Sequence, residues 1–513
     1  MPRLSKLTYH RGTLLLHPPP KGKAWIEYAT WDDRVEKFRI PAMHYRPLIE
    51  ALQGEGTNFT DEAKAFVPLE LTSSSVEMTP YTHQQEALQA WKMAGRQGVV
   101  VLPTASGKTY LAQLAMQSTP RSTLILVPTL DLMHQWYAQL EAAFPDVELG
   151  LLGGGSGDRT PLLVSTYNSA AIHAENLGDR YALLIFDECH HLPTDFFRVI
   201  AEYAIAPYRL GLTATPERSD GSHRDLEGLI GAIVYRKTPE ELSGHALAKH
   251  KIVEIKVKLS PKERETYDRS MKIRNAFLRE SNISLSSLKG WQLFVQASAR
   301  SQAGRRAMLA HREAKDISLC TDGKLRVLAE LIAKHYPERT LIFTNDNATV
   351  YRISQEFLIP ALTHQTPVKE RHGILTQFKE GTYKIIVASH VLNEGVDVPD
   401  ARIAIILSGT GSIREYIQRL GRVLRKGTQK DKVAILYEVV SEETSEERTS
   451  KRRKGDELQD VNQEDWQKPK PKQKSTEPKH KQLEIVSDRP LYDVPDRTTP
   501  KAAESKESYD TKE

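Results

Sequence analysis

Cysteine is almost absent: the 513-residue chain has two, Cys189 and Cys320. So few exclude a disulfide scaffold, a four-cysteine zinc site and a four-cysteine iron–sulfur cluster. Long hydrophobic runs are missing as well. No apolar stretch approaches the roughly 20 residues that a membrane-spanning helix needs, so no membrane partner is expected. The N-terminal MPRLSKLTYHRGTLLLHPPP has a three-leucine run and no small-residue cleavage site, which reads as no signal peptide. The expected address is cytoplasmic, and nucleoid-associated if the source is prokaryotic. Neither sign of charge dominates. The net charge of +5 permits a nucleic-acid partner without demanding one.

What the chain does have is a repeated alternation. From about Thr79 to Tyr235 the apolar runs GVVVLP, TLILVP, PLLVST, YALLIFDE and YRLGLTATP are separated by helix-prone stretches. A second alternation, about Asp322 to Val440, carries RTLIFT, KIIVAS, IAIILS and VAILYEVV. Strands alternating with helices imply βαβ units and parallel sheets, hence two α/β domains in tandem. The boundaries read as 76–245 and 319–440. Residues 1–75 form a small unit: GTLLLH, KAWIEYATWDD and KFRIPAM read as short strands and HYRPLIEALQ as a helix, an α+β pattern. The stretch 255–318 is basic and helix-prone, either an inserted helical arm or a long linker. Its Arg300, Arg305, Arg306 and Arg312 form a solvated helix face or a nucleic-acid contact. Residues 441–513 mix dense charge of both signs with proline, too little apolar surface to offset ordering entropy, and read as disordered.

Ligands of parallel sheets gather at the carboxyl ends of the strands, and the polar motifs sit there. After Val99–Leu102 comes Pro103-Thr-Ala-Ser-Gly-Lys-Thr and then a helical pattern. In such a turn the backbone N–H groups of Thr104, Ala105, Ser106 and Gly107 cradle a phosphate. Lys108 reaches the outer phosphates and the Thr109 hydroxyl sits on Mg²⁺. The standard GxxxxGK[ST] pattern is not fully met, because Leu102 stands where its first glycine belongs. The strand YALLIFDE ends in Asp187 and Glu188. There Asp187 can hold Mg²⁺ and Glu188 can take the proton from a water attacking the γ-phosphate. Thr213 and Thr215, at the end of a further strand, either link those carboxylates to a second ligand or simply end a β-rich strand. In EYIQRLGRVLRKG, Arg419, Arg422 and Arg425 recur at three-residue steps, near one helix face. Such a stripe is a solvated surface, or it supplies arginine fingers from the facing domain.

The series PTASGKT, TLILVPTLDL, LLVSTYNSA, DECHH, TATP, TLIFT, NEGVDVP and QRLGRVLR resembles the superfamily 2 helicases over about residues 75–440. The stretches PALTHQTPVKERHGILTQFKEGTYKIIVASHVLNEGVDVP and LSGTGSIREYIQRLGRVLR resemble the XPB-type DNA helicases, the archaeal-like form in particular. WDDRVEKFRIPAMHYRPLIEAL is similar to the small DNA-sensing domain preceding the motor in that group, and the basic insert sits where the group carries its thumb.

The resemblance implies two RecA-like domains and an ATP hydrolase using ATP and Mg²⁺. It acts on DNA at single-strand/duplex junctions, moves 3′ to 5′ and serves repair, with a nuclease partner by family analogy. It further implies that Gln84 reads adenine, that Gln418, Arg422 and Arg425 sense the γ-phosphate, and that Gly395 and Asp397 touch both ATP and nucleic acid. Thr129, Thr166 and Thr344 fall in motifs that hold the strand backbone, and Arg218 in the family's Arg-Glu-Asp triplet, tied there to duplex opening. This chain departs at Ser219, where the triplet has Glu, and at Tyr81, where an Arg is expected. An RNA helicase, a restriction-type translocase subunit and an inactive binding scaffold are the competing readings.

Overall fold

The computed structural model describes residues 4–71, 79–218, 220–243, 249–285, 288–389, 401–409 and 433–454. The N-terminal unit is a sheet of β1 (Ser5–His10), β2 (Thr13–His17), β3 (Thr30–Asp32), β4 (Lys37–Pro41) and β5 (Phe59–Glu62), in the order β3-β4-β2-β1-β5. Arg11 and Gly12 turn β1 into β2, both with positive φ (46° and 78°), the twist that a two-residue hairpin requires. One sheet face packs Leu7, Leu14, Leu16 and Ile40 against Leu48 and Leu52 of helix Tyr45–Gly54. Within KAWIEYATWDD only Thr30–Asp32 is strand; Ile26–Tyr28 is a short 3-10 turn. The unit is docked on the next domain. The Tyr9 hydroxyl donates to the carbonyl of Tyr203 (2.9 Å) and lies 3.1 Å from that of Glu175, while Arg46 donates to the carbonyls of Gly95 and Pro207.

The first large domain is built on β6 (Gln97–Val101), β7 (Thr123–Val127), β8 (Leu149–Gly153), β9 (Ser156–Gly157), β10 (Leu162–Thr166), β11 (Leu183–Asp187), β12 (Tyr208–Thr213) and β13 (Ile233–Arg236). The order is β13-β6-β12-β11-β7-β10-β8-β9, with only β9 antiparallel to its neighbour among the described residues. Alternate residues feed two cores, as the period of a strand dictates. Val100, Ile125, Ile185 and Leu210 face Leu111, Met116, Trp136 and Leu140 of helices Lys108–Ser118 and Leu130–Ala143. Val99, Leu124, Leu184 and Phe186 face Tyr167, Ile200 and Leu226 on the other side. Both faces being covered explains why these strands read as unbroken apolar runs.

The second domain contains β14 (Lys249–Val257), β15 (Thr340–Phe343), β16 (Ala361–Leu362), β17 (Ile385–Ala388), β18 (Ile403–Ile406) and β19 (Val433–Ser441), ordered β14-β19-β18-β15-β17-β16 and parallel throughout. Here the sequence reading needs correction. The domain does not start at 319: β14 pairs along its whole length with β19, from Lys249↔Val433 to Val257↔Ser441. The helices Pro261–Glu280, Leu288–Arg300 and Gln302–Leu319 are therefore an excursion inside this domain, not a separate segment starting at 255. KHKIVEIKV escaped notice because it is an edge strand, largely exposed and dotted with charge. On the excursion Arg300, Arg305, Arg306 and Arg312 are all exposed.

A second correction concerns the end of the chain. Residues 441–454 are not disordered: helix Ser445–Lys454 follows β19 directly. The fully buried Lys324 holds it, with Nζ 2.6 Å from Glu446 Oε2 and 2.6 Å from the Leu407 carbonyl. Glu446 Oε2 also accepts the Ser441 N–H (2.9 Å). Acid-rich SEETSEER hides this anchor, since one glutamate among many pairs with a lysine far away in sequence. The rest of that expected tail, 455–513, lies outside the described residues. Breaking a buried ion pair by removing one partner costs about 3–5 kcal/mol. Glu446→Ala is therefore expected to lower the unfolding midpoint in heat or denaturant by a corresponding amount, whereas Glu447→Ala, whose carboxylate pairs with the exposed Lys256, changes it little.

Candidate active site

The loop 103–107 leaves β6 and enters helix Lys108–Ser118 through Gly107, the N-cap, at φ 83°. Ala105 is also left-handed, at φ 67°. These two twists turn the backbone so that successive N–H groups face one concavity, the arrangement of an anion nest. A Cβ at Gly107 would run into the Gln84 side-chain nitrogen. Gln84 itself is buried. Its Oε1 accepts the Tyr81 N–H (2.9 Å) and its Nε2 donates to the carbonyls of Ser106 (3.3 Å) and Gly107 (3.1 Å). His83 adds a ring nitrogen 2.9 Å from the Ser106 carbonyl, and Tyr81 stacks on His83 with 5.6 Å between ring centres. The start of helix Thr82–Met93 is thus bolted to the loop. Ser106 closes it from within by donating to the Pro103 carbonyl (2.8 Å). Thr104 and Thr109 are partly exposed along this path.

Opposite the loop, β11 delivers two acids. The Glu188 backbone is left-handed (φ 48°, ψ 51°) and begins the 3-10 turn Cys189–His191. That conformation is strained for a residue with a side chain, and such strain clusters at functional sites. Glu188 Oε1 is 3.8 Å from Lys108 Nζ, which also donates to the Leu102 carbonyl (3.3 Å). Asp187 is buried. Its Oδ2 accepts the Trp136 indole N–H (2.8 Å), its Oδ1 the Glu188 N–H (3.0 Å), and its carbonyl the Tyr167 hydroxyl (3.0 Å). Burial, and then the neighbouring Glu188 carboxylate, push the Asp187 carboxyl above the usual carboxylate range. Burial likewise raises the Cys189 thiol far above its ordinary value. Glu188 Oε2 is buried and makes no hydrogen bond among the described residues. Adjacent buried carboxylates, one with such an oxygen and with a single lysine nearby, are a donor set that a hard divalent cation fits.

From Glu188 a polar chain runs to the next strand. His190 is buried, with Nδ1 3.5 Å from Glu188 Oε2 and 3.0 Å from Thr213 Oγ1. The Thr213 hydroxyl donates to the Thr215 carbonyl and accepts its N–H (both 3.2 Å). The Arg218 guanidinium donates to the His190 carbonyl (2.8 Å).

The structure thus brings together Gln84, Thr104, Ala105, Ser106, Gly107, Lys108, Thr109, Asp187 and Glu188. Thr129, Thr166 and Thr344 stand at the carboxyl ends of β7, β10 and β15, but their hydroxyls serve the fold. Thr129 and Thr166 accept the N–H of Leu132 and Ser169 (3.2 Å each) as helix caps, and the buried Thr344 donates to the Asp346 carbonyl (3.0 Å). Gly395, Asp397, Gln418, Arg422, Arg425 and Ser219 lie outside the described residues. Sequence reasoning missed His83, Trp136 and Tyr167. The apolar spacing of Met133, Trp136 and Leu140 marks Trp136 as core, and nothing in it betrays where the indole N–H points. It also missed Arg371, on helix Val368–Glu380, which reaches Asp131 at the start of helix Leu130–Ala143 (3.4 Å) and so joins the two lobes.

Three family models match. Residues 7–63 match one described as the xeroderma pigmentosum group B helicase damage recognition domain, 77–218 the type III restriction enzyme res subunit, and 323–427 the helicase conserved C-terminal domain. The DNA 3′-5′ translocase XPB2 of Sulfurisphaera tokodaii is 39% identical over 448 residues, 87% of this chain and 99% of that protein. The chain belongs to the XPB helicase family. Within that family it is 30% identical to the DNA 3′-5′ helicase XPB of Mycobacterium tuberculosis, over 68% of this chain and 59% of that one. It is 26% identical to the XPB/SSL2 helicase/translocase subunit of the general transcription and DNA repair factor IIH of Saccharomyces cerevisiae, of which it covers 42%. The order of N-terminal unit, first lobe and second lobe in this XPB-family chain is the order of the three models.

Two outcomes follow from the geometry. Gly107→Ala forces a left-handed residue and displaces the Gln84 amide; a cost of roughly 1–2 kcal/mol at the loop lowers kcat/KM for ATP by about tenfold. Trp136→Phe removes a donor that favours the ionised Asp187, so its carboxyl moves further up and the acidic limb of the ATPase pH profile shifts to higher pH.

Proposed function

We propose that the chain is an ATP-dependent DNA motor that translocates 3′ to 5′ and uses ATP hydrolysis to open or remodel duplex DNA in repair. The observation that carries this is the meeting of Lys108 with the Asp187–Glu188 pair across the loop 103–107, in a chain whose N-terminal unit matches the damage recognition model. In this reading the loop amides and Lys108 bind the phosphates, and Thr109 and Asp187 hold Mg²⁺, which supplies charge neutralisation at the γ-phosphate. Glu188 accepts the proton of the attacking water, and its strained turn pre-sets its direction. Gln84 is the adenine-side residue, and its present bonds to the loop tie base binding to phosphate binding. Gln418, Arg422 and Arg425, with Gly395 and Asp397, complete the site from the second lobe. Thr129, Thr166 and Thr344 support the loops whose backbone N–H groups face the strand, where phosphate contacts recur at every step and carry no sequence information.

A nuclease partner and a cytoplasmic, nucleoid-associated setting complete the proposal by family analogy. Among the described residues no helix is long and apolar enough to cross a membrane. The restriction-type reading has one observation in its favour, the match over 77–218, but that segment is only the first lobe, and the N-terminal match has no place in it.

Phosphate release with and without DNA tests the reading. Glu188→Gln is expected to lower DNA-stimulated kcat by about 10²–10⁴, the usual worth of a general base. Lys108→Ala is expected to abolish turnover with the fold intact, and undiminished turnover in either variant defeats the assignment. On forked duplexes, strand displacement is expected with a 3′ tail and not with a 5′ tail.

A further inference from the structure

We infer that Arg218 is a positioning residue for the catalytic carboxylate Glu188, acting through the His190 carbonyl, and is not a contact to the DNA strand. The inference rests on the ATPase reading of Lys108, Asp187 and Glu188 and deepens it.

The loop after β12 is organised around Asp220. Its carboxylate takes the Arg218 guanidinium as a fork, Nε to Oδ1 at 3.1 Å and Nη2 to Oδ2 at 2.7 Å. It also accepts the Ser222 N–H (3.0 Å) and hydroxyl (2.7 Å). The fork, and then Ser222, hold the Asp220 carboxyl well below the usual carboxylate range, so it stays a fixed anion at neutral pH. The Arg218 N–H donates to His223 Nδ1 (3.2 Å), which folds the loop back on itself. A two-toothed ion pair fixes direction as well as charge. With both teeth on Asp220, the remaining Nη1 is aimed at one acceptor, the His190 carbonyl, at 2.8 Å.

That carbonyl belongs to the 3-10 turn that Glu188 opens in a left-handed conformation. Strained backbone persists only when its surroundings over-determine it. The turn is held on its side-chain face by His190 against Thr213, and on its backbone face by Arg218. Without Arg218 the turn loses its backbone tether, and the carboxylate direction set by that turn is no longer unique. Since the Arg218 side chain is 20% exposed and already engaged with two acceptors, a DNA phosphate would have to take it from both.

The test uses the full-length protein and three measurements: ATPase kcat without DNA, KM for ATP, and the slope of log Kd for DNA against log salt. For Arg218→Gln, DNA-free kcat is expected to fall about tenfold with KM within about twofold, the signature of an interaction spent in the transition state. The salt slope is expected to stay unchanged, because no phosphate contact is lost. Arg218→Lys, whose ammonium still reaches a carbonyl, recovers part of kcat, and Asp220→Asn, which loosens the fork, falls between. Unchanged DNA-free kcat with a salt slope reduced by about one would mark Arg218 as a strand contact and overturn the inference. So would a loss of kcat that Lys does not recover at all and that comes with a raised KM, since that is general disruption. If Lys108→Ala is inactive while Arg218→Gln is fully active, only this inference fails; if Lys108→Ala turns over normally, the ATPase reading beneath it fails.

Discussion

Two carboxylates at the tip of a buried strand repel each other and have lost their water, and the first lobe is arranged around that problem. Asp187 is met by an indole N–H and a backbone N–H, Glu188 by an ammonium 3.8 Å away and the His190 ring. None of these contacts neutralises both acids. What is left over is a demand for positive charge at the mouth of the phosphate loop, where a nucleotide with its cation would bring it. The helix that starts at Lys108 and the twisted loop before it add the complementary preference for anions. A site that wants both a cation and an anion is satisfied by their complex and poorly by either alone.

The same pair fixes what must be rigid. The Glu188 backbone sits in a left-handed turn tied to β12 by His190 and Thr213, which fixes the direction of its carboxylate. The ties of this turn through His190 run sideways, from β11 to its sheet neighbour β12, while Trp136, Tyr167 and Lys108 reach the two acids from the helices. The loop after β12 is therefore joined to the Glu188 carboxylate through one turn of backbone.

Much of this was legible in the sequence, and the reason is burial. Strands covered on both faces must be continuously apolar, so GVVVL, TLILV, LLVST and LLIFD announce themselves, and their motifs follow at the carboxyl ends. Among the strands that were missed, LGLLG, IVYR and KHKIVEIKV carry glycine or charge and lie toward or at sheet edges. Glu446 was missed for a different reason. Its partner Lys324 is 122 positions away, and no local pattern distinguishes a buried glutamate from its solvated neighbours Glu442, Glu443 and Glu447. The residues that chemistry dictates by type, Lys108, Asp187 and Glu188, were legible in the sequence, and the structure brings them together. The site was incompletely legible where a side chain of core character, Trp136 or Tyr167, lends one polar atom.

The accessory units attach to different lobes. The N-terminal unit hangs on the first lobe through Tyr9 and Arg46, whose donors end on the carbonyls of Tyr203, Gly95 and Pro207. The helical excursion belongs to the second lobe: it leaves from the end of β14, and Glu263 in its first helix accepts both the Ser260 N–H (2.8 Å) and the Asp322 N–H (3.1 Å). Each unit is thus tied to its own lobe on both sides of a chain connection. Between the lobes one polar contact is the partly exposed Arg371–Asp131 pair, an interaction of the kind worth about 1 kcal/mol or less. With each accessory unit fixed to a different lobe, a change in the relation of the lobes would carry a change of distance between the N-terminal unit and the helical arm.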